Sequence, residues 1–104
     1  MANPPSLSSE QRQAALQKAA QVRKARSELK ARLKMGSITF REVLEMAETD
    51  EVVAKTKVLA VLESLPGVGK VKARRTMEEI GIAQSRRLRG LGDQQREKLL
   101  REFG

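Results

Sequence analysis

The stretch at residues 65–70, Leu-Pro-Gly-Val-Gly-Lys, constrains the fold of this chain more than any other. Apolar residues at helical spacing lead into it and resume after it, so it separates two helices. Pro66 cannot continue the first helix, and Gly67 and Gly69 allow backbone conformations that other residues avoid. The second helix begins at the turn, where unpaired N–H groups and the helix dipole favour an anion. Because Lys70 adds a positive charge there, we interpret the stretch as a phosphate-binding turn.

Length and composition exclude several classes of protein. A chain of 104 residues is large enough for one modest core, and Phe40 and Phe103 are its aromatic residues. It contains no Cys and no His, which removes disulfides, thiolate–metal sites, the commonest general base and the commonest metal ligand. Without a dense acidic cluster either, we expect no enzyme activity, no metal and no cofactor.

The chain shows no sign of membrane insertion or export. No apolar run approaches the roughly 20 residues of a membrane-spanning helix, and no signal peptide precedes the charged N-terminal segment. We therefore expect a cytoplasmic protein without a membrane partner.

The net charge of +8 indicates an anionic partner, and its distribution along the chain adds detail. Residues 1–36 carry +6, residues 37–66 carry −3 and residues 67–104 carry +5. This pattern predicts two cationic surfaces joined by a scaffold. A merely solvated basic surface is the alternative to a nucleic-acid partner.

The first 36 residues predict a lead-in followed by one long basic helix. Two consecutive prolines make residues 1–7 a flexible or extended lead-in, and Ser8 and Gln11 have capping-box spacing. The helix is expected to end at Gly36. Its apolar stripe is mostly alanine at first and has leucines only near its end, so the first half is expected to project from the domain. Cations on the other faces are either a solubility device or a second DNA surface, for which the candidates are Arg23, Arg26, Lys30 and Lys34.

Two helices are predicted between this segment and the turn. Thr39 and Glu42 have the spacing of a second capping box, which predicts a scaffold helix over residues 40–48. Asp50 is a candidate N-cap for a helix over residues 51–64.

The turn is followed by a helix over residues 68–80 whose first half is rich in cations. Cations near a helix N-terminus oppose the dipole, so a chain built only for stability would carry acids there. Arg74 and Arg75 have the spacing to pair with Glu78 and Glu79 respectively, whereas Lys70 and Lys72 have no such partner.

A glycine-bounded connector with three arginines comes next. One helical turn is expected over residues 84–89, with Leu88 and Leu91 anchored in the core and the arginines, Arg86, Arg87 and Arg89, pointing outward. Because no acid lies nearby in sequence, we interpret the connector as a binding element. A final helix is predicted from about residue 92 to Phe103, and no segment alternates as a strand does, so the fold is expected to be all-α.

The turn is not a nucleotide-binding loop. A Walker loop needs a glycine five residues before the Gly-Lys pair and Ser or Thr after the lysine, but Ser64 and Val71 occupy those positions. With a nucleotide-binding loop excluded, the interpretation that remains for the turn is recognition of a nucleic-acid backbone. The shortage of aromatic residues argues against stacking on single-stranded bases. We expect double-stranded DNA to be bound by a monomer with little sequence preference. The expected contacts are Gly67, Val68, Gly69, Lys70, Lys72, Arg86, Arg87 and Arg89.

Over residues 55–103 the sequence resembles the helix-two-turn-helix motif of a ribosomal protein of the small-subunit head and of a class of DNA glycosylases. The resemblance rests on residues 66–70 (Pro-Gly-Val-Gly-Lys), on Gly81-Ile82 and on Leu91. Over nearly the whole chain, including the long basic helix and the connector at residues 86–89, it resembles the actinobacterial integration host factor family. That resemblance implies a single all-helical domain over residues 8–104, location in the nucleoid, DNA bending and a role beside phage integrase. It also implies DNA contacts by Pro66, Lys70 and the three connector arginines.

Two alternatives stay open. An RNA-binding or ribosome-associated module would use the same motif, although the ribosomal protein has a long basic tail after it and this chain ends at Gly104. A helical adaptor that docks a protein on its first helix would have no affinity for nucleic acid. A glycosylase is disfavoured because it would need a catalytic domain before the motif and usually a zinc finger.

Overall fold

A computed structural model describes residues 9–104 of the chain. The predicted lead-in over residues 1–7, and the capping box that begins at Ser8, lie outside the described residues. Within residues 9–104, no helix is both long enough and apolar enough to cross a membrane.

The first helix, α1, spans Ser9–Lys34 and packs on the rest of the molecule through its C-terminal half. Leu29 and Leu33 are its buried residues, whereas residues 9–21 are all exposed. The 26 residues of α1 make a helix about 39 Å long, which exceeds the 28 and 26 Å of the two shorter dimensions of the molecule. The prediction that the alanine-rich half projects is therefore confirmed.

Five further helices and one 3-10 turn complete the fold. They are α2 (Phe40–Met46), α3 (Glu51–Ala54), α4 (Val58–Ser64), α5 (Gly69–Ile80), a 3-10 helix (Leu88–Gly90) and α6 (Asp93–Phe103). Helices α4 and α5 pack most extensively on one another, and α1 lies mainly against α4 and α3. Every helix contributes buried side chains to the core, and the largest completely or almost completely buried ones are Phe40, Leu33, Leu62, Met77, Leu88 and Leu99. The all-α prediction is confirmed, since the residues from 9 onward contain no strand and one isolated β-bridge.

The helix starts at Thr39 and Asp50 follow the sequence prediction. Thr39 N–H donates to Glu42 Oε1 at 2.9 Å, and Glu42 N–H donates to Thr39 Oγ1 at 3.1 Å, which completes the capping box. Asp50 Oδ1 accepts from Val52 N–H at 2.9 Å. Because such caps are made within four residues, short-range sequence signals are sufficient to find them.

The prediction of one helix over residues 51–64 is wrong. The helix breaks at Thr56 and Lys57, and Lys57 has the extended angles φ −68° and ψ 138°. Thr56 Oγ1 donates to the carbonyl of Val52 at 2.8 Å, and Thr56 is 3% exposed. Its backbone carbonyl accepts from Leu88 N–H at 3.0 Å, on a segment far away in sequence. The break is thus stabilised by the connector, which local periodicity does not show.

Attachment of α1 to the body should depend on Leu33. We expect Leu33→Ala to lower the free energy of unfolding by about 2–5 kcal/mol, because it removes a completely buried side chain and leaves a cavity. The matched control is Leu16→Ala in the projecting half, where the side chain is 63% exposed and the change should stay within about 0.5 kcal/mol. Urea denaturation measures both. Equal effects of the two variants would contradict the packing described here.

Candidate nucleic-acid interface

The turn between α4 and α5 is a reverse turn that presents an uncapped helix start. Val68 N–H donates to the carbonyl of Leu65 at 3.2 Å, which places Pro66 and Gly67 at its two central positions. Gly67 has φ +77°, as the second central residue of a type II turn requires, and Gly69 has φ +73°. Leu65 is 9% exposed and anchors the turn, whereas Pro66 and both glycines are exposed.

The start of α5 carries cations and no acid. No acidic residue lies in its first turn, and no side chain caps its N–H groups. Lys70 and Lys72 are exposed beside these N–H groups. Unpaired donors, the positive end of the helix dipole and two ammonium groups together make an anion-binding surface.

The ion pairs that residue spacing allows farther along α5 are not formed. In the described part of the chain, the one ion pair within 4 Å joins Lys55 Nζ to Glu51 Oε1 at 2.9 Å. The pairs that the spacing allows, Arg74 with Glu78 and Arg75 with Glu79, are therefore not formed, although all four side chains are exposed. Exposed pairs of this kind gain little Coulomb energy and lose side-chain entropy. Both arginines leave their charge available to an anionic partner.

The connector is extended where one helical turn was expected. Residues 84 and 85 form a turn that Arg86 N–H closes on the carbonyl of Ala83 at 3.0 Å, Arg87 is extended, and the 3-10 helix begins only at Leu88. Val58 N–H donates to the carbonyl of Arg86 at 2.9 Å, and Lys57 and Arg87 form an isolated antiparallel bridge. The expected burial of Leu88 and Leu91 is confirmed, at 1% and 9% exposure.

The prediction that all three connector arginines point outward is wrong for Arg86. It is half-buried, and its Nη1 donates to the carbonyl of Gly90 at 2.8 Å and more weakly to Gln95 Oε1 at 3.4 Å. A Cβ on Gly90 would lie 2.9 Å from Arg86 Cδ, so glycine there makes room for the arginine stem. Gln95 Oε1 also accepts from Gly92 N–H at 3.0 Å, so Arg86 belongs to a network that shapes the start of α6.

Arg87 and Arg89 differ from Arg86 because both are exposed. Arg87 Nη1 donates to the carbonyl of Lys55 at 2.7 Å, which fixes the position of the side chain. Arg89 makes no hydrogen bond or ion pair with the residues described. The Lys55 hydrogen bond and charge lower the pKa of the exposed Glu51 carboxyl, and the charges of Lys18 and Arg89 add to this effect.

The candidate residues of the second DNA surface on α1 line different pockets. Arg26 and Lys30 line a pocket of about 190 Å³ together with Arg87 of the connector and two lysines at the break between α3 and α4, Lys55 and Lys57. Arg23, which lies toward the N-terminus of α1, lines an open groove with Lys18 and Val22, and Arg26 lines this groove as well. Lys34 is exposed and lines neither of these pockets.

Lys55 and Lys57 were not among the sequence-predicted site residues. Because the expected helix over residues 51–64 is continuous, it places them among ordinary helix-surface lysines. A usable signal is the Lys-Thr-Lys sequence in the middle of that helix, since a threonine side chain competes with helical backbone bonding.

Among residues 9–104 there is no group of His, Cys, Asp or Glu that could hold a metal ion.

Comparison with known proteins identifies the fold. Residues 33–103 match the model of the S13-like H2TH domain family, which covers more than half of the chain. An integration host factor of Mycobacterium tuberculosis is 60% identical over 100 residues, covering 96% of this chain and 95% of the relative. This chain belongs to the actinobacterial integration host factor family. The resemblance of the H2TH motif and the long basic helix to that family is confirmed.

Two further relatives extend the match. The integration host factor of Streptomyces coelicolor is 54% identical over 104 residues, which is 100% of this chain and 96% of the relative. A solved structure of sIHF bound to an 8-bp palindromic DNA superposes with a TM-score of 0.81 at 51% identity, and covers 85% of this chain and 99% of that chain.

The geometry of the turn depends on the positive φ of Gly67. A Cβ at Gly67 would meet no atom within 4 Å, so Gly67→Ala tests backbone strain alone. We expect this variant to lose about 1–2 kcal/mol of unfolding free energy, because L-residues avoid the left-handed region. The matched control is Gly92→Ala, where φ is −75° and the nearest atom would lie at an ordinary 3.6 Å. Thermal unfolding followed by circular dichroism compares them. A Gly67 variant as stable as the Gly92 variant would contradict the assigned turn.

Proposed function

We propose that this protein binds double-stranded DNA through the sugar–phosphate backbone of the duplex, with little sequence preference. The observation that carries the proposal is the acid-free, uncapped and exposed start of α5, in a chain similar to sIHF solved on DNA. The N–H groups of Gly69 and Lys70, at the start of α5, donate to a phosphate oxygen, while the side chains of Lys70 and Lys72 add charge. Pro66 and Val68 shape the turn that holds these donors.

The connector arginines have different roles in this proposal. Arg89 contacts DNA directly, because it is exposed and lacks a partner among the residues described. Arginines in such connectors suit a narrow minor groove, where the negative potential is enhanced. Arg87 contributes charge from a side chain already fixed by the carbonyl of Lys55. Arg86 holds the connector in shape through Gly90 and Gln95.

We further propose a role for this DNA binding in the cell. The relatives are called integration host factors, which supports a host protein that bends or compacts DNA and assists phage integrase-mediated recombination. We place it in the cytoplasm, on the nucleoid, acting as a monomer. The family also supports a protein that is not an enzyme. Basic faces on α5 and on the connector side of α1 give a bent duplex two surfaces to follow.

Binding should depend strongly on salt. If about five phosphates are neutralised, log affinity is expected to fall with log salt at a slope of about −4.5 for duplex DNA. Fluorescence anisotropy with duplex DNA, duplex RNA and single-stranded DNA of matched length measures affinity and partner class together. Tighter binding of duplex RNA would favour a ribosome-associated role, and a slope near zero would exclude the electrostatic account.

Substitutions of Arg89 and Arg86 should have different effects on DNA affinity and on stability. We expect Arg89→Ala to weaken DNA binding with a change in unfolding free energy of at most about 0.5 kcal/mol. Arg86→Ala should cost about 1.5–3 kcal/mol of stability, because it removes hydrogen bonds from a charged donor. Arg101→Ala is the charge control on the exposed face of α6. If the Arg89 and Arg101 variants bind DNA equally well, the connector is not the contact surface.

Bending is tested separately from affinity. We expect saturating protein to raise the ring-closure rate of DNA fragments of about 150 bp, the persistence length, because bending brings the ends together. Bound fragments that close at the rate of naked DNA would contradict bending while leaving DNA binding intact.

A further inference from the structure

Five cationic side chains from three separate segments surround one pocket. Arg26 and Lys30 come from α1, Lys55 and Lys57 flank the break between α3 and α4, and Arg87 comes from the connector. None of the described residues lining the pocket is acidic. Like charges repel, so this group of cations destabilises the fold unless an anion binds between them.

The nearest acid described does not neutralise this group. Glu51 pairs with Lys55 at 2.9 Å, and that pair lies at an adjoining pocket with Lys18 and Arg26. Both members of the pair are substantially exposed, with side-chain exposures of 77% and 42%, so the contact is weak. Even with Lys55 fully neutralised, four uncompensated cations face the pocket.

Arg26 supplies an independent observation that points to a ligand. Its Nε is shielded from solvent and has no hydrogen-bond partner among the described residues, and Arg26 is one of the residues that line the pocket. Shielded donors without an acceptor are rare because they lose their hydrogen bonds to water without replacement. Two oxygens of a phosphate can bind Nε and a neighbouring Nη of an arginine, and a small rotation of the Arg26 side chain would open its Nε to them.

The pocket walls are held in place before any ligand arrives. Arg87 is fixed by its 2.7 Å bond to the carbonyl of Lys55, and the backbone bridge between Lys57 and Arg87 joins two of the contributing segments. The volume of about 190 Å³ is below the roughly 300 Å³ at which pockets for drug-sized ligands begin. It suits one or two phosphoryl groups.

We propose that this pocket is a phosphoryl-group site, distinct from the turn at the start of α5. The phosphoryl group comes either from the backbone of the bound duplex or from a soluble phosphate ester. The first source rests on the proposed DNA-binding function, whereas the second does not. In both cases the anion joins α1 to the connector, so the pocket couples the long helix to the arginines that meet DNA.

The test is titration of the DNA-free protein with pyrophosphate at constant ionic strength, with sodium chloride as the reference. Amide and arginine Nε–H signals are followed by ¹⁵N NMR in the wild type, in Arg26→Gln and in Lys57→Gln. Lys24→Gln is the charge-matched control, since Lys24 is exposed about 200° around α1 from Arg26. We expect saturable shifts at Thr56, Lys57 and Arg87, about tenfold weaker affinity in either pocket variant, and unchanged affinity in the control.

A second arm identifies the source of the phosphoryl group. If it is a DNA phosphate, each pocket variant should reduce the salt slope of duplex binding by about 0.9, and Lys24→Gln should not. If the slope is unchanged while pyrophosphate still saturates the pocket, the ligand is a soluble phosphate ester. Absence of saturable pocket shifts together with an unchanged slope overturns the proposal. If pyrophosphate does not bind the pocket but duplex DNA binds normally, the pocket proposal fails and DNA binding through the turn stands. Failure of the pocket proposal is therefore distinguishable from failure of the proposed DNA-binding function.

Discussion

Two backbone hydrogen bonds connect the break between α3 and α4 to the connector before α6. Val58 N–H donates to the carbonyl of Arg86, and Leu88 N–H donates to the carbonyl of Thr56. Unpaired backbone groups in a buried region carry a large free-energy penalty, so the two segments satisfy each other. The orientation of α4, the direction of the three arginines and the wall of the cationic pocket all depend on this pairing.

The charge distribution favours an anionic partner at some expense of stability. Cations at the start of α5 oppose its dipole, and five more gather around the pocket at α1. Acids lie instead on the exposed side of α2, at Glu42 and Glu45, and neither lines the cationic pocket at α1. A hydrophobic core built almost entirely from aliphatic residues tolerates this arrangement, because it holds the helices together without help from ion pairs.

The two cationic regions have different physical characters. At the turn, the donors are backbone amides, so their positions follow from Pro66 and from the glycine conformations. At the pocket, the donors are long side chains whose positions follow from packing between α1, α4 and the connector. Substitutions in the core near Leu29 and Leu33 therefore affect the second region more directly than the first.

The sequence by itself determined the features that depend on short-range interactions. The caps at Thr39 and Asp50, the turn at residues 66–70 and the boundaries of α5 and α6 all involve groups within about five residues of one another. The burial of Leu33, Leu88 and Leu99 followed from helical periodicity and turn anchors. Family membership was also recognisable at this level, because the motif is a contiguous pattern.

Only the tertiary structure decided where the interrupted helix breaks and what the connector arginines do. Thr56 accepts from Leu88, and Arg87 donates to Lys55, across separations of about thirty residues. Periodicity within a helix carries no information about such partners, so Arg86 and Arg89 looked equivalent in sequence. The pocket that joins Arg26, Lys57 and Arg87 exists only because packing brings three distant segments to one place.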